Sequence, residues 1–444
     1  MEQKREQWGS RFGFLMASAG SAIGLGSIWR FPYVAGVNGG ACFLISYLIM
    51  CFTLGASLNL AEWSIGRAAK SDVVGSFTKL GGKKWGIVGF GALISCFIIA
   101  AYYSILSGVV LYYIKFSLVD LARVSKAGYF EAVFNTITSI PRISISLHAL
   151  NMFIVIAIIS KGVSGGIEKM CKYVMPWLFI ILLILIARAL TLPGAIAGLK
   201  FYLLPDFKKF GARGLLEATG QSFYSLSLAM GIAVTYGSYM KKDDKMVPLN
   251  GTVVFLTTFV AFLAGLVIFP ACVAMGVKPT AGVGLCFITL PEVFCRMACG
   301  PFFATAFFIL FYIAAVTSSV AILEVLVAYG MGQLKMSRKT STQIMGLVVF
   351  LLGIPVALSG MPNFPKIFGR TIFEASDFLV NNWILPLVAI FTCIFVGWVW
   401  QKGAKNELTN GGRVPFKFYP VWSVICKFIA PVILAILLIH GGKW

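Results

Sequence analysis

Eleven apolar runs, separated by short basic segments, dominate the sequence. A helix needs about 20 mostly apolar residues to cross the hydrocarbon core of a bilayer. Packing this many spans into 444 residues leaves no length for a separate soluble domain. The sequence therefore predicts an all-α polytopic membrane protein that forms one domain, residues 1–444. The predicted spans lie near residues 11–37, 41–65, 86–115, 143–160, 169–192, 214–240, 247–276, 300–334, 342–359, 376–400 and 418–440.

The charge of the chain fits this class of protein. Its 37 Lys and Arg residues against 16 Asp and Glu give a net charge of +21. Most of the basic residues lie in short segments between spans, where they set the orientation of the chain in the membrane. They are more numerous on the side of the N-terminus, which we therefore expect to be cytoplasmic. An odd number of spans then puts the C-terminus outside, and we expect no nucleic-acid partner.

Neither an enzyme nor a metal centre built from cysteine and histidine is indicated. The chain has ten cysteines without paired zinc-type spacing and only two histidines. We find no nucleophile–histidine pair and no phosphate-binding loop, so we expect no catalytic residues. Cys286, Cys295 and Cys299 share one predicted outer loop. The sequence leaves open whether a disulfide forms among them.

The first apolar run contains residues that a simple membrane anchor does not need. Gly20, Gly24 and Gly26 weaken a helix, and Pro32 removes a hydrogen-bond donor. Free backbone groups at membrane depth are tolerated where they line a protein cavity. The spacing of Gly20 and Gly24 is also compatible with simple close packing of two helices. Arg30 favours the cavity, because a charge at this depth needs polar surroundings.

Two later spans carry similar polar interruptions. Span six contains small and hydroxyl residues through its middle, from Gly220 to Gly231, and span eight contains Thr317, Ser318 and Ser319. Such serines also bond back to their own helix or join neighbouring helices. However, interrupted spans at matching places in two halves indicate a transporter site on an inverted repeat. We predict a first repeat over about 8–192, an inverted second repeat over about 214–400, and an additional helix over about 418–440.

These residues also resemble a known family. The run Gly24-x-Gly-x-x-Trp-Arg-Phe-Pro-Tyr33, with Glu62-Trp63, Thr317-Ser318-Ser319 and Ser337-Arg338-Lys339, is similar to the neurotransmitter:sodium symporter family. The resemblance implies a LeuT-like 5+5 inverted-repeat fold with broken helices 1 and 6 and about 11 transmembrane helices. It implies a sodium-coupled secondary active symporter in a bacterial plasma (inner) membrane, importing a neutral amino acid by alternating access. A solute-sensing receptor or a channel on the same scaffold is the rival interpretation.

The resemblance also implies a substrate site. Monoamine-binding members carry an aspartate at the position of Gly24, whereas a glycine leaves room for a substrate carboxylate. No implied pocket residue is charged, which favours an apolar or aromatic amino acid. The implied substrate-binding residues are Ala22, Gly24, Gly26, Ile99, Tyr103, Tyr224, Ser225, Ser227, Met230, Ser318 and Ile322.

Two sodium sites are implied, and the second matches the family better than the first. Its ligands are Gly20, Ile23, Ala314, Thr317 and Ser318, whereas those of the first are Ala22, Ser27, Ser225 and Thr257. In the first site, Ser27 and Thr257 replace the family's asparagines. Ala261 stands where chloride-independent bacterial members carry an acid. The sequence therefore leaves open one or two Na⁺ ions, a role for chloride, and the oligomeric state.

The implied gates lie on either side of this site. Arg30 is expected to pair with Asp377 above a lid formed by Tyr103 and Tyr224. The implied latch on the opposite side is Arg5, Trp8, Ser238 and Tyr239. Gly332 replaces the aspartate of that latch, and Glu324 is the alternative partner for Arg5. Glu62 is expected to accept backbone N–H groups from the broken part of span six.

Overall fold

The computed structural model describes residues 5–123, 129–277 and 282–441. Within these ranges the chain is helical, and its extended pairing consists of two isolated bridges. Nine helices of the described chain are long and apolar enough to cross a membrane. They are Ala41–Ala69, Lys83–Val119, Pro141–Ile159, Val163–Leu190, Met246–Ala274, Gly300–Gly332, Arg338–Leu358, Ile372–Val399 and Tyr419–His440. These nine correspond to predicted spans two to five and seven to eleven.

The first predicted span is broken, as expected. It consists of Arg11–Ala22 and Leu25–Val37, whose axes differ by 68°. The inner half begins after Ser10, whose side chain accepts a hydrogen bond from the Gly13 N–H. The outer half begins after Gly24, whose backbone is extended. The break thus falls within the glycine-rich stretch.

The sixth predicted span is also broken. Its two helices, Ala212–Ser225 and Ile232–Ser238, are separated by residues 226–231. Within this connection Ser227 has φ of 51° and Ala229 has φ of 63°. Residues other than glycine rarely adopt such values. Contacts with other helices must therefore hold the connection in place.

Short helices occupy several segments between the spans: Val73–Gly81, Tyr129–Ser139, Ala195–Leu203, Leu285–Cys295 and Gln401–Leu408. The predicted outer loops 193–213 and 277–299 are thus partly helical, although residues 278–281 lie outside the described chain. The structure records no disulfide among the described cysteines, so Cys286, Cys295 and Cys299 are not cross-linked to one another.

Span two packs directly against the inner half of span six. A Cβ atom on Gly66 would lie 1.9 Å from the Val234 carbonyl oxygen, and one on Gly237 would lie 2.7 Å from that of Trp63. The two backbones therefore touch along this contact. Small residues permit such close packing between membrane helices.

We predict that Gly66→Ala destabilises the protein, because its methyl group has no space at this contact. Overpacking of this kind costs about 1–3 kcal/mol. The measurement is the midpoint of thermal unfolding in detergent. Gly251→Ala is the matched control, since nothing lies within 4 Å of a Cβ atom built on that helical glycine. Equal midpoints for the two variants would contradict the packing argument.

Candidate functional site

A cavity lies where the breaks in spans one and six face each other. It is narrow in this structure, with a cavity volume of about 30 Å³. Ten of the eleven predicted substrate residues line it, and Ser225 does not. Sequence reasoning missed Ser21, Leu25 and Tyr102 as lining residues, and it assigned Ser27 to the first sodium site. The full lining is Ser21, Ala22, Gly24, Leu25, Gly26, Ser27, Ile99, Tyr102, Tyr103, Tyr224, Ser227, Met230, Ser318 and Ile322.

No side chain in this lining is charged, so backbone groups supply its polarity. The outer half of span one begins here, and the first N–H groups of a helix have no partner within it. They also form the positive end of the helix dipole. The Leu25 N–H donates to the Tyr103 hydroxyl at 3.1 Å. A Cβ atom on Gly24 would lie 3.0 Å from that hydroxyl and 2.9 Å from Ser318 Oγ. Glycine therefore keeps this polar corner open.

Tyr224 covers the cavity by lying directly on Gly26. A Cβ atom on Gly26 would lie 1.9 Å from Cε1 of the Tyr224 ring. Beyond the ring, the Arg30 guanidinium carbon lies 5.0 Å from the ring centroid. The glycine is needed here for close approach of a side chain, and the arginine adds a cation–π contact to the lid.

The predicted ion pair between Arg30 and Asp377 is not formed in this structure. Both residues line the vestibule above Tyr224. No ion pair within 4.0 Å joins Arg30 to a carboxylate of the described chain. Asp377 instead accepts a hydrogen bond of 2.7 Å from Asn381, one turn along its own helix. Arg30 thus contacts the Tyr224 ring, and Asp377 contacts Asn381.

Oxygen atoms of spans one and eight converge beside the cavity. Thr317 Oγ1 lies 2.8 Å from the Gly20 carbonyl oxygen and 3.1 Å from that of Ala314. Ser318 Oγ lies 3.5 Å from the Gly20 carbonyl oxygen and 3.1 Å from that of Ser21. Four of the five predicted second-site ligands therefore come together, and the Ile23 carbonyl is not among these contacts. Neutral oxygens of this kind suit a hard cation.

The residues predicted for the first sodium site are arranged differently. Thr257 Oγ1 donates to the Val253 carbonyl of its own helix at 2.9 Å, and Ser225 Oγ accepts from Gln221 at 3.1 Å. Ser27 Oγ and Gln221 Oε1 are buried without a hydrogen-bond partner in the described chain, as is the Tyr47 hydroxyl. Buried polar atoms are normally hydrogen-bonded, so this region has spare capacity for a water molecule or an ion.

The predicted latch residues meet on the face of the protein that carries the N-terminus. Arg5 donates to Ser238 Oγ at 2.8 Å and to the Ser71 carbonyl at 3.1 Å. Its guanidinium carbon lies 4.7 Å from the centroid of the Tyr239 ring. Trp8 Nε1 donates to the Tyr236 carbonyl at 3.0 Å.

Glu324 is not the partner of Arg5. It accepts two hydrogen bonds of 2.9 Å from Arg338 and one of 2.6 Å from the Tyr239 hydroxyl. Arg338 begins span nine, and its guanidinium reaches the buried carboxylate in span eight across the short turn between the two helices. Fourteen residues separate the pair along the chain, so periodicity within one helix could not reveal it.

Asp72 occupies the space beside Gly332. A Cβ atom on Gly332 would lie 2.4 Å from Asp72 Oδ2, which accepts a hydrogen bond of 2.8 Å from Gln333. Lys70 and Gly332 both line a second cavity, which lies beside Arg5 and Tyr239. Burial, and to a lesser extent the charge of Arg67, lower the pKa of the Lys70 ammonium to about 8. Sequence reasoning had not singled out Asp72 or Lys70.

Glu62 holds the connection within span six, as predicted. Its Oε1 accepts the Ala229 N–H at 2.7 Å. Cys96 adds a second contact, since its thiol donates to the Met230 carbonyl at 2.8 Å. These bonds from spans two and three support the left-handed residues of the connection.

We predict that Glu62→Ala is markedly less stable than Glu62→Gln. Alanine leaves the buried Ala229 N–H without a partner, which costs about 1–3 kcal/mol, whereas a glutamine carbonyl can still accept the bond. Thermal unfolding midpoints in detergent measure the difference. Equal loss of stability in both variants would show that the charge, and not the hydrogen bond, matters.

Comparisons with known proteins agree with this geometry. The sequence profile of the sodium:neurotransmitter symporter family matches residues 5–127 and 127–442. An uncharacterized sodium-dependent transporter of Bacillus subtilis, YhdH, is 36% identical over 99% of this chain and 98% of its own length. Another, MJ1319 of Methanocaldococcus jannaschii, is 31% identical over 97% of this chain and 89% of its own length.

A solved structure is similar over nearly the whole chain. The crystal structure of MhsT in complex with L-phenylalanine matches with a TM-score of 0.90 and 38% identity, over 99% of this chain and 100% of that one. The chain therefore has the LeuT-like fold predicted from its sequence. It is an integral membrane protein and not an enzyme. This protein belongs to the sodium:neurotransmitter symporter family.

Proposed function

We propose that this protein imports a neutral amino acid, apolar or aromatic, together with Na⁺. The observation that carries this proposal is the uncharged cavity at the start of the outer half of span one. A zwitterion needs one positive and one negative partner. Helix termini can supply both from the backbone, without a charged side chain.

The lining favours one orientation of such a substrate. Its carboxylate would meet the N–H groups that follow Gly24 and the hydroxyl of Tyr103, while its ammonium would meet carbonyl oxygens of the broken helices and Ser227. The side chain would then lie against Ile99, Met230 and Ile322, all of which line the cavity. MhsT, with L-phenylalanine bound, supports an aromatic amino acid as the first candidate.

Sodium would bind at the contact between spans one and eight. The residues fit the ion, because the oxygens of Gly20, Ala314, Thr317 and Ser318 already converge there. Bound Na⁺ would favour the conformation in which both spans supply ligands, since a ligand shifts an equilibrium by its differential affinity. We propose one Na⁺ per substrate, because Thr257 is engaged within its own helix and none of the four residues predicted for the first site has an amide or acidic side chain.

The two faces of the cavity would open alternately. Tyr224 and Arg30 cover the site on one side, and Arg5, Trp8, Ser238 and Tyr239 close the other. In this proposal the N-terminal face is cytoplasmic and the C-terminus is outside, in a bacterial plasma membrane. Opening one face while the other stays closed moves the substrate without forming a bond.

The test is uptake of a panel of labelled neutral amino acids by proteoliposomes under an inward Na⁺ gradient. We expect accumulation against the substrate gradient, and none when K⁺ replaces Na⁺. Replacement of chloride by gluconate determines whether an anion takes part. Binding without accumulation would favour a sensor, and downhill flux without accumulation would favour a channel.

We predict that the double variant Thr317→Ala, Ser318→Ala loses Na⁺-dependent uptake, because both side-chain oxygens leave the proposed sodium site. Ser319→Ala is the matched control, since its hydroxyl faces Ser107 at 3.3 Å instead. Elution as a single monodisperse species would show that both proteins fold. Retained Na⁺-dependent uptake in the double variant would show that these two hydroxyls do not form the sodium site.

A single Na⁺ per substrate gives a sodium Hill coefficient near one. The coefficient comes from substrate binding measured over a range of Na⁺ concentrations. A coefficient near two would show that a second ion binds, and the buried oxygens around Ser27 would then be its site.

A further inference from the structure

Spans ten and eleven carry an exposed pair of aromatic side chains towards the N-terminal face of the protein. The segment that joins these spans lies on that face, because Asn410 donates to the Asp244 carbonyl at 3.3 Å and Arg11 pairs with the Asp244 carboxylate. Trp398, near the end of span ten, is 56% exposed, and Phe428 of span eleven is 52% exposed. Their rings meet edge to face, with centroids 5.4 Å apart. Exposed tryptophan near the end of a span is typical of the level of the lipid headgroups.

A lysine lies beside this aromatic pair, within span eleven. Lys427 belongs to the span that begins at Tyr419, and it lies about 12 Å along the helix from that residue. Its ammonium nitrogen is 5.3 Å from the centroid of the Trp398 ring. A Cβ atom on Gly397 would lie 2.9 Å from Lys427 Cγ. The glycine therefore makes room for the lysine stem, and the charged end is held beside an exposed indole.

The Lys427 ammonium has no acceptor within the described part of the chain. None of the carboxylates described lies within 4.0 Å of it. No hydrogen bond between described residues starts from its Nζ atom. An ammonium group has three N–H donors, whereas the Trp398 ring offers it only the face of a π system. Since a charge within a span normally has a polar partner, these donors are available to a group outside the chain.

The segment before Lys427 adds further positive charge at the same end of the spans. Residues 401–427 contain one acid, Glu407, against five basic residues. Glu407 is already engaged, because its Oε2 lies 2.7 Å from Nε of Arg67, whose side chain is 1% exposed. Lys405 lies 5.4 Å from the centroid of the Tyr419 ring, in an arrangement like that of Lys427. The five basic residues are Lys402, Lys405, Arg413, Lys417 and Lys427.

We propose that Lys427 and Trp398 bind the headgroup of an anionic phospholipid in the leaflet at the N-terminal face. The lipid phosphate would accept N–H groups of Lys427, and an acyl chain would lie along the exposed rings of Trp398 and Phe428. Basic residues at the end of a span attract anionic lipids in particular. This inference goes beyond the proposed transport function, because the site does not depend on which substrate is carried.

The charge of the surface favours a lipid over a second copy of the chain. A two-fold symmetric dimer buries the same surface on both subunits. It would bring the basic segment of one copy against that of the other, and the one acid of the segment is already paired with Arg67. The exposed apolar rings favour a lipid over a small soluble anion, because such an anion would leave them uncovered.

The test is native mass spectrometry of the purified full-length protein in a non-ionic detergent. The protein is titrated with dioleoylphosphatidylglycerol, with dioleoylphosphatidylcholine, and with glycerol phosphate, which has no acyl chain. We expect the wild type to bind phosphatidylglycerol most tightly of the three. In Lys427→Gln we expect the affinity for phosphatidylglycerol to fall about threefold to tenfold, as loss of one basic residue near an anionic surface predicts. Lys427→Arg keeps the charge and should keep the affinity.

Lys339→Gln is the matched control, because it makes the same change of charge on the same face. Lys339 is exposed at the start of span nine, next to Arg338, which pairs with Glu6 near the N-terminus. We expect its affinity for phosphatidylglycerol to equal that of the wild type. Equal affinity of the wild type for the two phospholipids, or an equal loss in Lys339→Gln and Lys427→Gln, would overturn the proposal. Glycerol phosphate bound as tightly as phosphatidylglycerol, or a wild-type dimer that Lys427→Gln dissociates, would overturn it in favour of a soluble anion or a second copy.

Discussion

Backbone groups freed by the two helix breaks are the constraint on which the rest of this structure depends. Inside a bilayer each such group needs a partner within the protein. Tyr103 accepts the Leu25 N–H, Glu62 accepts the Ala229 N–H, and Thr317 donates to the Gly20 carbonyl. These partners come from spans three, two and eight. The broken spans are therefore stable only within the complete bundle, and the bonds that stabilise them also shape the cavity.

The glycines in and near the cavity are needed mainly because neighbouring atoms approach them closely, and less because they make the backbone flexible. Gly24 leaves a polar corner free beside Tyr103, Gly26 admits the ring of Tyr224, and Gly66 brings span two onto span six. Each would place a Cβ atom at 3.0 Å or less from a neighbouring atom. Close approach thus explains why small residues are concentrated in the two broken spans and the helix that braces them.

The charged side chains that meet at Arg338 differ in burial. Glu324 and Arg338 are joined by two hydrogen bonds and are buried, whereas Glu6 pairs with the same arginine from a partly exposed position near the N-terminus. Above the cavity, Arg30 lies on the ring of Tyr224 and makes no ion pair with a described carboxylate.

The sequence by itself determined the membrane class, the spans, the two broken helices and most of the residues that line the cavity. These features follow from local signals, namely apolar length, glycine and proline within a span, and hydroxyl residues at membrane depth. Only the tertiary structure decided which charges meet. Sequence reasoning paired Arg30 with Asp377 and offered Glu324 as an alternative partner for Arg5. In the structure Arg30 lies on the Tyr224 ring and Asp377 accepts from Asn381. Arg5 donates to Ser238, and Glu324 pairs with Arg338. Ion partners depend on which helix ends converge to within 4 Å, and that distance is set by packing between segments far apart in the chain.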